Sequence, residues 1–184
     1  MSCKIYLQKY DYSGVLRGQR KKLESRNGLS LLGHAVKDEY GLDLSSLEIE
    51  RGVHGKPYFK DRRDICFNIS HSGDYAAAAL CSREVGVDIQ VFRHIKDNVI
   101  NKLCRGAELE YIGSSPDRDR AFIMLWALKE SYIKATGDGM TFPMSEVNFD
   151  IRGFDSELVG RVSNIEGLYL LRDCGSFALA ACVL

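Results

Sequence analysis

Apolar and polar positions alternate along the N-terminal segment KIYLQ as they do in a half-buried strand. A longer stretch, from about Lys21 to Tyr40, carries Leu29, Leu32 and Val36 at the spacing of one helical face, and Gly41 after it suits a helix C-cap. The first half of the chain is therefore predicted to contain one long helix among several strands. The further strands predicted from bounded apolar or alternating runs are Leu47 to Glu50, Ile65 to Ser70, Tyr75 to Cys81 and Val85 to Val91.

The second half begins with helical patterning and ends with strands. A less regular helix is predicted over Val99 to Ile112. A clearer helix is predicted to begin at Ser115 and Pro116, with serine as N-cap and proline at the first helical position, and to end at Gly137 or Gly139. The closing strands are predicted at Glu146 to Ile151, Leu168 to Leu171 and Phe177 to Leu184.

This order of elements in the second half repeats that of the first. Each half also contains a similar apolar strand, YAAAAL in the first and FALAAC in the second. The pattern predicts an α+β fold built from two similar halves, residues 1–93 and 94–184, related by a pseudo-twofold axis with the active site in the cleft between them. A single sheet with helices on one face is the alternative.

Composition narrows the class of protein. The 184 residues are enough for a sizeable core, and 25 basic against 25 acidic residues give a formal net charge of +0. Binding to nucleic acid or to an acidic membrane is therefore not expected, and any phosphate binding must come from a local cluster. No apolar run reaches the length of a transmembrane helix, and the N-terminus is too polar for a signal peptide, so a cytoplasmic location is expected.

Cysteine and histidine spacing gives no sign of a structural metal site. The six cysteines include no CxxC pair, and most lie in apolar runs. Reduced, buried thiols are favoured over disulfides or zinc ligands. The four histidines also lack metal-ligand spacing.

The segment Val85 to Val91 combines an apolar face with an acid. Since side chains alternate along a strand, Gly86, Asp88 and Gln90 share the face opposite the valines and isoleucine. An acid beside a small residue on an otherwise core-like strand is unusual. A metal or ligand site and a half-exposed strand with its polar face in water are both consistent with this pattern.

The segment WALKESYIK places three functional side chains on one face of the predicted helix. At roughly 100° per residue, Trp126, Glu130 and Lys134 fall within an arc of about 80°. An i,i+4 ion pair in solvent would explain Glu130 and Lys134, whereas the only tryptophan of the chain beside them favours the wall of a site. The apolar stripe on roughly the opposite side consists of Ala121, Leu125, Leu128, Tyr132 and Ala135.

Two turns complete the candidate chemistry. Ser70 and His71 lie where a strand ends in a Ser-His-Ser turn, which can present hydroxyl and N–H groups to a phosphate or merely cap itself. A triad hydrolase is not favoured, because a GxSxG elbow is lacking and the serine and histidine are adjacent. In GKPY, Pro57 biases Lys56 toward an extended conformation, which suits either a base-binding turn or an ordinary hairpin.

The segments GKPYF, FNISHSG, GVDIQ and WALKESYIKATGDG, in this order, resemble the phosphopantetheinyl transferases of the surfactin-synthetase type. The matched stretch runs from Gly55 to Pro143, about half the chain. The resemblance implies two α+β halves with coenzyme A between them. It also implies transfer of 4′-phosphopantetheine from coenzyme A to a serine of an apo acyl or peptidyl carrier protein, with release of adenosine 3′,5′-bisphosphate.

The resemblance also implies a magnesium site. Asp88 and Glu130 would bind the metal, which usually takes one or two carboxylates with phosphate oxygens and water. Lys134 would add positive charge, and Glu130, directly or through a water, is the candidate base. Many relatives carry an acid where this chain has Gln90, whose amide oxygen can still ligate magnesium or hold a water that does.

The remaining implied roles concern coenzyme A. Lys56 and Pro57 would line the adenine, and Ser70 and His71 would contact phosphates. Family members usually hold the 3′-phosphate with basic residues early in the chain, where Arg26 is the candidate beside Arg17, Arg20, Lys21 and Lys22; a solvated charged surface is the alternative. Two lysines, Lys129 and Lys134, would lie near the diphosphate. Glu108 matches a further acidic position of the family.

The implied partner is an apo carrier protein, typically an acidic helical bundle. The segment from Arg93 to Arg105 mixes basic and apolar residues and is predicted to dock a carrier helix. The competing functions are a magnesium-dependent hydrolase of coenzyme A or a nucleotide, and a non-catalytic coenzyme A-binding module. Two similar halves in one chain favour a monomer.

Overall fold

The computed structural model describes residues 3–139, 142–151, 157–162 and 165–184. These residues form strands and helices in mixed order, with single turns of 3₁₀ helix at Leu44–Ser46 and Met144–Glu146. The order is β1 (Lys4–Lys9), α1 (Arg17–Tyr40), β2 (Ile49–Arg51), β3 (Pro57–Phe59), β4 (Cys66–Ser72), β5 (Tyr75–Cys81), β6 (Val85–Val91), α2 (Asp97–Leu103), α3 (Ala107–Ser114), α4 (Arg118–Thr136), β7 (Glu157–Val162), β8 (Ile165–Asp173) and β9 (Phe177–Val183).

The strands form three antiparallel sheets, which confirms the α+β class and excludes the single-sheet alternative. The orders are β1-β5-β4, β2-β3 and β6-β9-β8-β7. Strand β6 pairs along its length with β9, from Val85 opposite Val183 to Val91 opposite Phe177. It therefore belongs by hydrogen bonding to the sheet of the C-terminal strands, although it follows β5 in the chain.

Helix α1 begins at Arg17, earlier than predicted, and ends at Tyr40 as predicted. Gly41 has a left-handed φ of 68° and its N–H donates to the Lys37 carbonyl, which confirms the C-cap. Leu32 and Val36 are buried, but Leu29 is 44% exposed. The buried face turns instead through Gly28, where an added Cβ would lie 2.8 Å from the Ile69 side chain. A glycine inside this helix thus permits its close approach to β4.

Helix α4 starts slightly later than the sequence suggested. Its N-cap is Asp117, whose carboxylate accepts from the Arg120 N–H at 3.0 Å, so Ser115 and Pro116 precede the helix. The carboxylate is the stronger cap because it satisfies an unpaired N–H of the first turn. Gly137, with φ 80°, ends the helix as predicted. None of the helices in the described ranges is long and apolar enough to cross a membrane.

Two other predictions need correction. The single helix predicted over Val99 to Ile112 is divided into α2 and α3, and Gly106 at the division has a φ of 49°. The strand predicted at Glu146 to Ile151 is wrong: a 3₁₀ turn and irregular backbone occupy it. Its alternating apolar side chains are buried in the core, and none of the sheets formed by the described residues includes this segment. Strands β3 and β7 were not predicted.

The cores of the two larger sheets are rich in small residues. The alanines of β5 and β9 are buried, so the layers above them approach closely.

All six cysteines are free thiols, as the spacing predicted. Burial raises the pKa of Cys104 to about 11 and that of Cys182 to about 11. These thiols are therefore protonated and unreactive at neutral pH.

Candidate active site

A buried carboxylate lies at the junction of three elements. Asp88 of β6 is 1% exposed. Its Oδ1 accepts from Lys134 Nζ of α4 at 2.5 Å and from Ser70 Oγ of β4 at 2.8 Å. Its Oδ2 accepts from Gln90 Nε2 at 2.9 Å. The charge of Asp88 is thus compensated by one ammonium group and two neutral donors.

Strands β4 and β6 belong to different sheets and are joined by side chains instead of backbone pairs. Every second residue of β4, three in all, accepts a hydrogen bond through its side chain from a backbone N–H group of β6. These hydrogen bonds align β4 with β6. The contacts are Val87 N to Asn68 Oδ1 at 3.0 Å, Ile89 N to Ser70 Oγ at 3.3 Å and Val91 N to Ser72 Oγ at 3.1 Å. Sequence reasoning assigned Ser70 to phosphate and missed this role of the NxSxS pattern.

Helix α4 lies directly on β6 at Gly86. A Cβ built on Gly86 would be 2.0 Å from the Ser131 carbonyl oxygen and 2.5 Å from the Ala135 nitrogen. The strand and helix backbones are therefore in contact, which only glycine permits. This contact sets Lys134 against Asp88, two residues further along the strand, and Lys134 Nζ also donates to the Val87 carbonyl at 3.2 Å.

A cavity of about 300 Å³ opens beside this cluster, and Glu130 of α4 lines it.

Burial raises the pKa of Glu130 above its ordinary value, with a further contribution from the charge of Asp88, while the Lys134 ammonium opposes the shift. The lining residues come from β4, β6, the segment after β6 and α4. They include most of the predicted site: Ile69, Ser70, His71, Asp88, Gln90, Arg93, Trp126, Glu130 and Lys134.

The oxygen donors of this cavity fit a hard cation. Asp88 and Glu130 supply carboxylates, and Gln90, whose Nε2 faces Asp88, supplies a carbonyl oxygen. Lys134 Nζ at Asp88 Oδ1 shows that this position already attracts positive charge. Across the described ranges, no group of three or more His, Cys, Asp or Glu is arranged to hold a metal. A cation here would therefore depend on Gln90, water or substrate oxygens for its remaining ligands.

A second cavity, of about 250 Å³, continues from the first through Ile69 and His71. Arg51 lines it, and one guanidinium N–H donates to the Gly55 carbonyl at 2.8 Å. None of its lining residues is acidic. They are Ser25, Leu29, Ile49, Arg51, Pro57, Phe67, Asn68, Ile69 and His71. Sequence reasoning missed Arg51 because its position on a three-residue strand gave no signal of function.

The basic residues of α1 that were candidates for holding the 3′-phosphate differ in their contacts. Arg20 is fixed to Asp74 at 3.0 Å, and its guanidinium stacks over Tyr12 at 4.6 Å. Arg26 is exposed and does not line the second cavity, although its neighbour Ser25 does. His71 Nδ1 lies 3.8 Å from the Glu24 carboxylate. The basic side chains that line the second cavity are thus Arg51 and His71.

Pro57 lies between the second cavity and a third of about 360 Å³. Lys56 lines the third cavity, where its Nζ donates to the Ala135 carbonyl at 2.6 Å and to Glu84 at 2.5 Å. The Lys56 ammonium therefore joins the GKP turn to the C-terminal end of α4, where cations interact favourably with the helix dipole. Since the Lys56 ammonium is engaged by these two acceptors, only the backbone and the methylene groups of Lys56 can contact a ligand.

The structure separates Lys129 from the cluster. Its side chain is 1% exposed and forms an ion pair with the buried Glu108 at 2.7 Å. The implied position of Lys129 near a diphosphate does not agree with this geometry, because every donor of its ammonium faces the interior. Glu108, left without a role by the sequence, is its partner.

Two protein-family models match this chain. The model of the 4′-phosphopantetheinyl transferase superfamily matches residues 84–182, and that of the 4′-phosphopantetheinyl transferase N-terminal region matches residues 15–83. The boundary between the two matches falls immediately before β6. The first match alone covers more than half of the chain and includes Asp88, Glu130 and Lys134.

Curated relatives are 31–32% identical to this chain over the residues that align. The 4′-phosphopantetheinyl transferase psf-1 of Bacillus pumilus is 32% identical over 120 residues, which are 64% of this chain and 52% of that protein. The 4′-phosphopantetheinyl transferase Sfp of Bacillus subtilis is 31% identical over 125 residues, 66% of this chain and 54% of that protein. The human L-aminoadipate-semialdehyde dehydrogenase-phosphopantetheinyl transferase is 31% identical over 164 residues, 78% and 51% of the two chains. The chain spans about half the length of these relatives, and it belongs to the 4′-phosphopantetheinyl transferase superfamily.

Proposed function

We propose that the chain transfers the 4′-phosphopantetheine group from coenzyme A to a serine of an apo acyl or peptidyl carrier protein, with magnesium as cofactor. Adenosine 3′,5′-bisphosphate is the other product. The observation that carries the proposal is the cluster of Asp88, Glu130 and Lys134 beside an open cavity, in a chain of this family. Two carboxylates and an ammonium group suit a diphosphate whose charge increases as the bond breaks.

Each group has a distinct task in this reaction. Glu130 accepts the proton of the attacking serine, and its raised pKa brings it closer to neutral pH, where a general base is most effective. Lys134 adds positive charge around the diphosphate, and His71 donates a ring N–H to it. Asp88, Glu130 and Gln90 would hold a magnesium ion through their side-chain oxygens, and the ion would supply neutralisation of the diphosphate charge. The transition state is loose, so positioning and electrostatics provide most of the rate.

The connected cavities suggest how coenzyme A lies. Its diphosphate occupies the cavity beside Asp88, and the adenosine continues into the second cavity, against Pro57, with the backbone of Lys56 on the side of Pro57 that faces the third cavity. The 3′-phosphate is one ribose away from the diphosphate and thus falls near Arg51 and His71. Arg26, exposed on α1, reaches this phosphate only from outside the cavity rim.

Arg51→Gln is expected to raise the KM for coenzyme A by about tenfold, because one charge-assisted contact to a phosphate is lost. The KM for 3′-dephospho-coenzyme A should not change. Arg62→Gln is the matched control, since Arg62 is paired with Asp64 and lines none of the three cavities. An equal effect of Arg51→Gln on both substrates would show that Arg51 does not contact the 3′-phosphate.

The carrier is proposed to dock on α2 and its flanks. Arg93, Lys96 and Lys102 are exposed there, beside the partly buried Val99. Arg105 is held differently, because its Nη1 donates to two carbonyls at the end of α2. Basic and apolar groups side by side suit an acidic helix with an apolar ridge.

Charge reversal by Lys102→Glu and Arg105→Glu together is expected to raise the KM for the carrier by about tenfold without changing the KM for coenzyme A. Salt should weaken the effect because the charges are exposed. Lys37→Glu, an exposed reversal on α1, is the control. Since Arg105 also caps α2, melting temperatures must accompany the kinetics. An unchanged carrier KM would exclude this surface.

Gln90→Glu is expected to lower the melting temperature without metal and to enlarge the increase caused by magnesium. The variant replaces the donor to Asp88 Oδ2 with a second negative charge, which only a cation can neutralise. Thermal unfolding with and without magnesium measures both effects, and Gln19→Glu on the exposed side of α1 is the control. Equal magnesium shifts in both variants and the unaltered protein would place the metal elsewhere.

We also infer that residues 1–93 and 94–184 are two halves related by a pseudo-twofold axis, with the active site in the cleft between them. A strand, a helix and an antiparallel sheet in each half support this, with β6 crossing to the second sheet. The six free thiols fit a reducing cytoplasm. A chain with both halves of its site is expected to act as a monomer, without nucleic acid or membrane.

The test of the proposed function is mass spectrometry of an apo carrier after incubation with the protein, coenzyme A and magnesium. A gain of one phosphopantetheine group on the carrier serine, abolished by chelation, is the expected result. Free adenosine bisphosphate with an unmodified carrier would instead indicate a hydrolase. Coenzyme A binding with no product from several carriers would indicate a binding module.

A further inference from the structure

We propose that the buried ion pair between Glu108 and Lys129 is a positioning device that sets the carrier-docking surface at its working distance from Glu130. The inference rests on the proposed function. Glu108 belongs to α3 and Lys129 to α4, and neither lines the cavity beside Asp88. The side chains are 0% and 1% exposed, and Lys129 Nζ lies 2.7 Å from Glu108 Oε2.

The pair is fully hydrogen-bonded, and its partners come from distant parts of the chain. Lys129 Nζ also donates to the carbonyls of Leu103 at 2.7 Å and Met144 at 3.3 Å. Glu108 Oε2 accepts from the Arg105 N–H at 3.3 Å, and Oε1 accepts from the Phe149 N–H at 2.9 Å. One pair therefore joins the end of α2, the turn after it, α3, α4 and the segment around residues 144–149.

A buried ion pair contributes little stability compared with a well-packed apolar pair, because both charges lose their hydration. Its hydrogen bonds instead require one arrangement of the surrounding backbone, since any shift leaves a buried charge unpaired. An apolar contact at this point would tolerate sliding of α2 against α4. The presence of charged groups at this point therefore indicates that the pair fixes the position of α2 relative to α4.

The two ends of this network coincide with two parts of the proposed reaction. At one end, Leu103 and Arg105 lie beside Lys102, at the end of α2 and in the turn after it, where the carrier is proposed to dock. Lys129 precedes Glu130 on the same helix. The pair consequently fixes the docked carrier, and with it the acceptor serine, relative to the base. A misplacement of about 1 Å can cost about 100-fold in rate.

The test uses the double variant Glu108→Gln/Lys129→Met, which keeps the volume and removes both buried charges. We expect the affinity for coenzyme A, measured by isothermal titration, to be unchanged. The kcat/KM for the carrier should fall by about tenfold to 100-fold. A serine peptide cut from the carrier, too short to reach α2, should be modified equally slowly by the variant and the unaltered protein. Arg62→Gln/Asp64→Asn, which neutralises an exposed pair, is the control.

Several outcomes would overturn the inference. Unchanged carrier kinetics in the folded variant would make the pair dispensable for positioning. Equal losses in coenzyme A binding, peptide modification and carrier modification would indicate general loosening of the structure. If the double variant does not fold, Glu108→Asp is measured in the same way, because it keeps both buried charges but shortens the side chain that joins α3 to Lys129. A failure of the unaltered protein to modify any carrier would refute the proposed function instead.

Discussion

Glu130→Gln is expected to reduce carrier modification by about 10²–10⁴-fold while leaving the protein folded. The amide cannot accept the serine proton, and it removes one of the two carboxylates of the cavity. Coenzyme A binding should be reduced much less, since the diphosphate retains Lys134 and His71. Single-turnover mass spectrometry of the carrier, together with titration of coenzyme A, separates the loss of chemistry from the loss of binding.

The same substitution is expected to raise the melting temperature at neutral pH. The pKa of Glu130 is raised by burial first and by the Asp88 charge second. The folded protein therefore holds this proton more tightly than the unfolded chain. The resulting stabilisation is complete below the unfolded pKa and is lost as pH rises through the raised, folded pKa. At neutral pH the ionised Glu130 destabilises the fold, and glutamine removes that cost.

The pH dependence gives an independent check. Loss of transfer on acidification should occur at higher pH than for an exposed glutamate, because the base must be ionised. The gain in melting temperature of Glu130→Gln should vanish once Glu130 is protonated. Glu48→Gln, an exposed glutamate paired with Lys60, is the control for both measurements. Full transfer by Glu130→Gln would eliminate Glu130 as the base.

Gly86→Ala is expected to prevent stable folding. The new methyl group would lie 2.0 Å from the Ser131 carbonyl oxygen and 2.5 Å from the Ala135 nitrogen, and both are backbone atoms of a buried helix. Relief requires α4 to move away from β6, which would separate Lys134 from Asp88. Overpacking in a core commonly costs 1–3 kcal/mol, and contacts this short against backbone should cost at least about 3 kcal/mol.

Gly113→Ala is the matched control with the opposite sign. Gly113 lies in α3, and a Cβ there meets nothing within 4 Å. Alanine should stabilise the protein by about 0.5–1 kcal/mol, because it restricts the unfolded chain without strain. Thermal and urea unfolding of the two variants should therefore move in opposite directions. A Gly86→Ala protein with unaltered melting temperature would show that α4 and β6 are further apart.

Local patterns were sufficient wherever one face of an element decided its burial. A bounded apolar run predicted β5 and alternation predicted β6, both at their observed limits. Gly41 predicted the end of α1, and Gly137, one of two candidate glycines, marks the end of α4. The spacing within WALKESYIK correctly placed Glu130 and Lys134 on one face of a helix, and that face lines the cavity beside Asp88. In these cases all the residues concerned belong to one helix or strand, and the regular backbone geometry of that element fixes their relative positions.

The tertiary structure decided everything that depended on contacts between elements. Lys129 lies next to Glu130 in the sequence, but a rotation of roughly 100° per residue points it into the core, where Glu108 from another helix neutralises it. Residues 146–151 have the alternation of a strand, but they pair with none of the strands in the described part of the chain. Arg51, rather than the basic residues of α1, lines the second cavity because the β2-β3 hairpin borders that cavity. Sequence by itself determined the elements and the motif residues, whereas packing determined which charges meet, since charge pairing depends on distances across the fold.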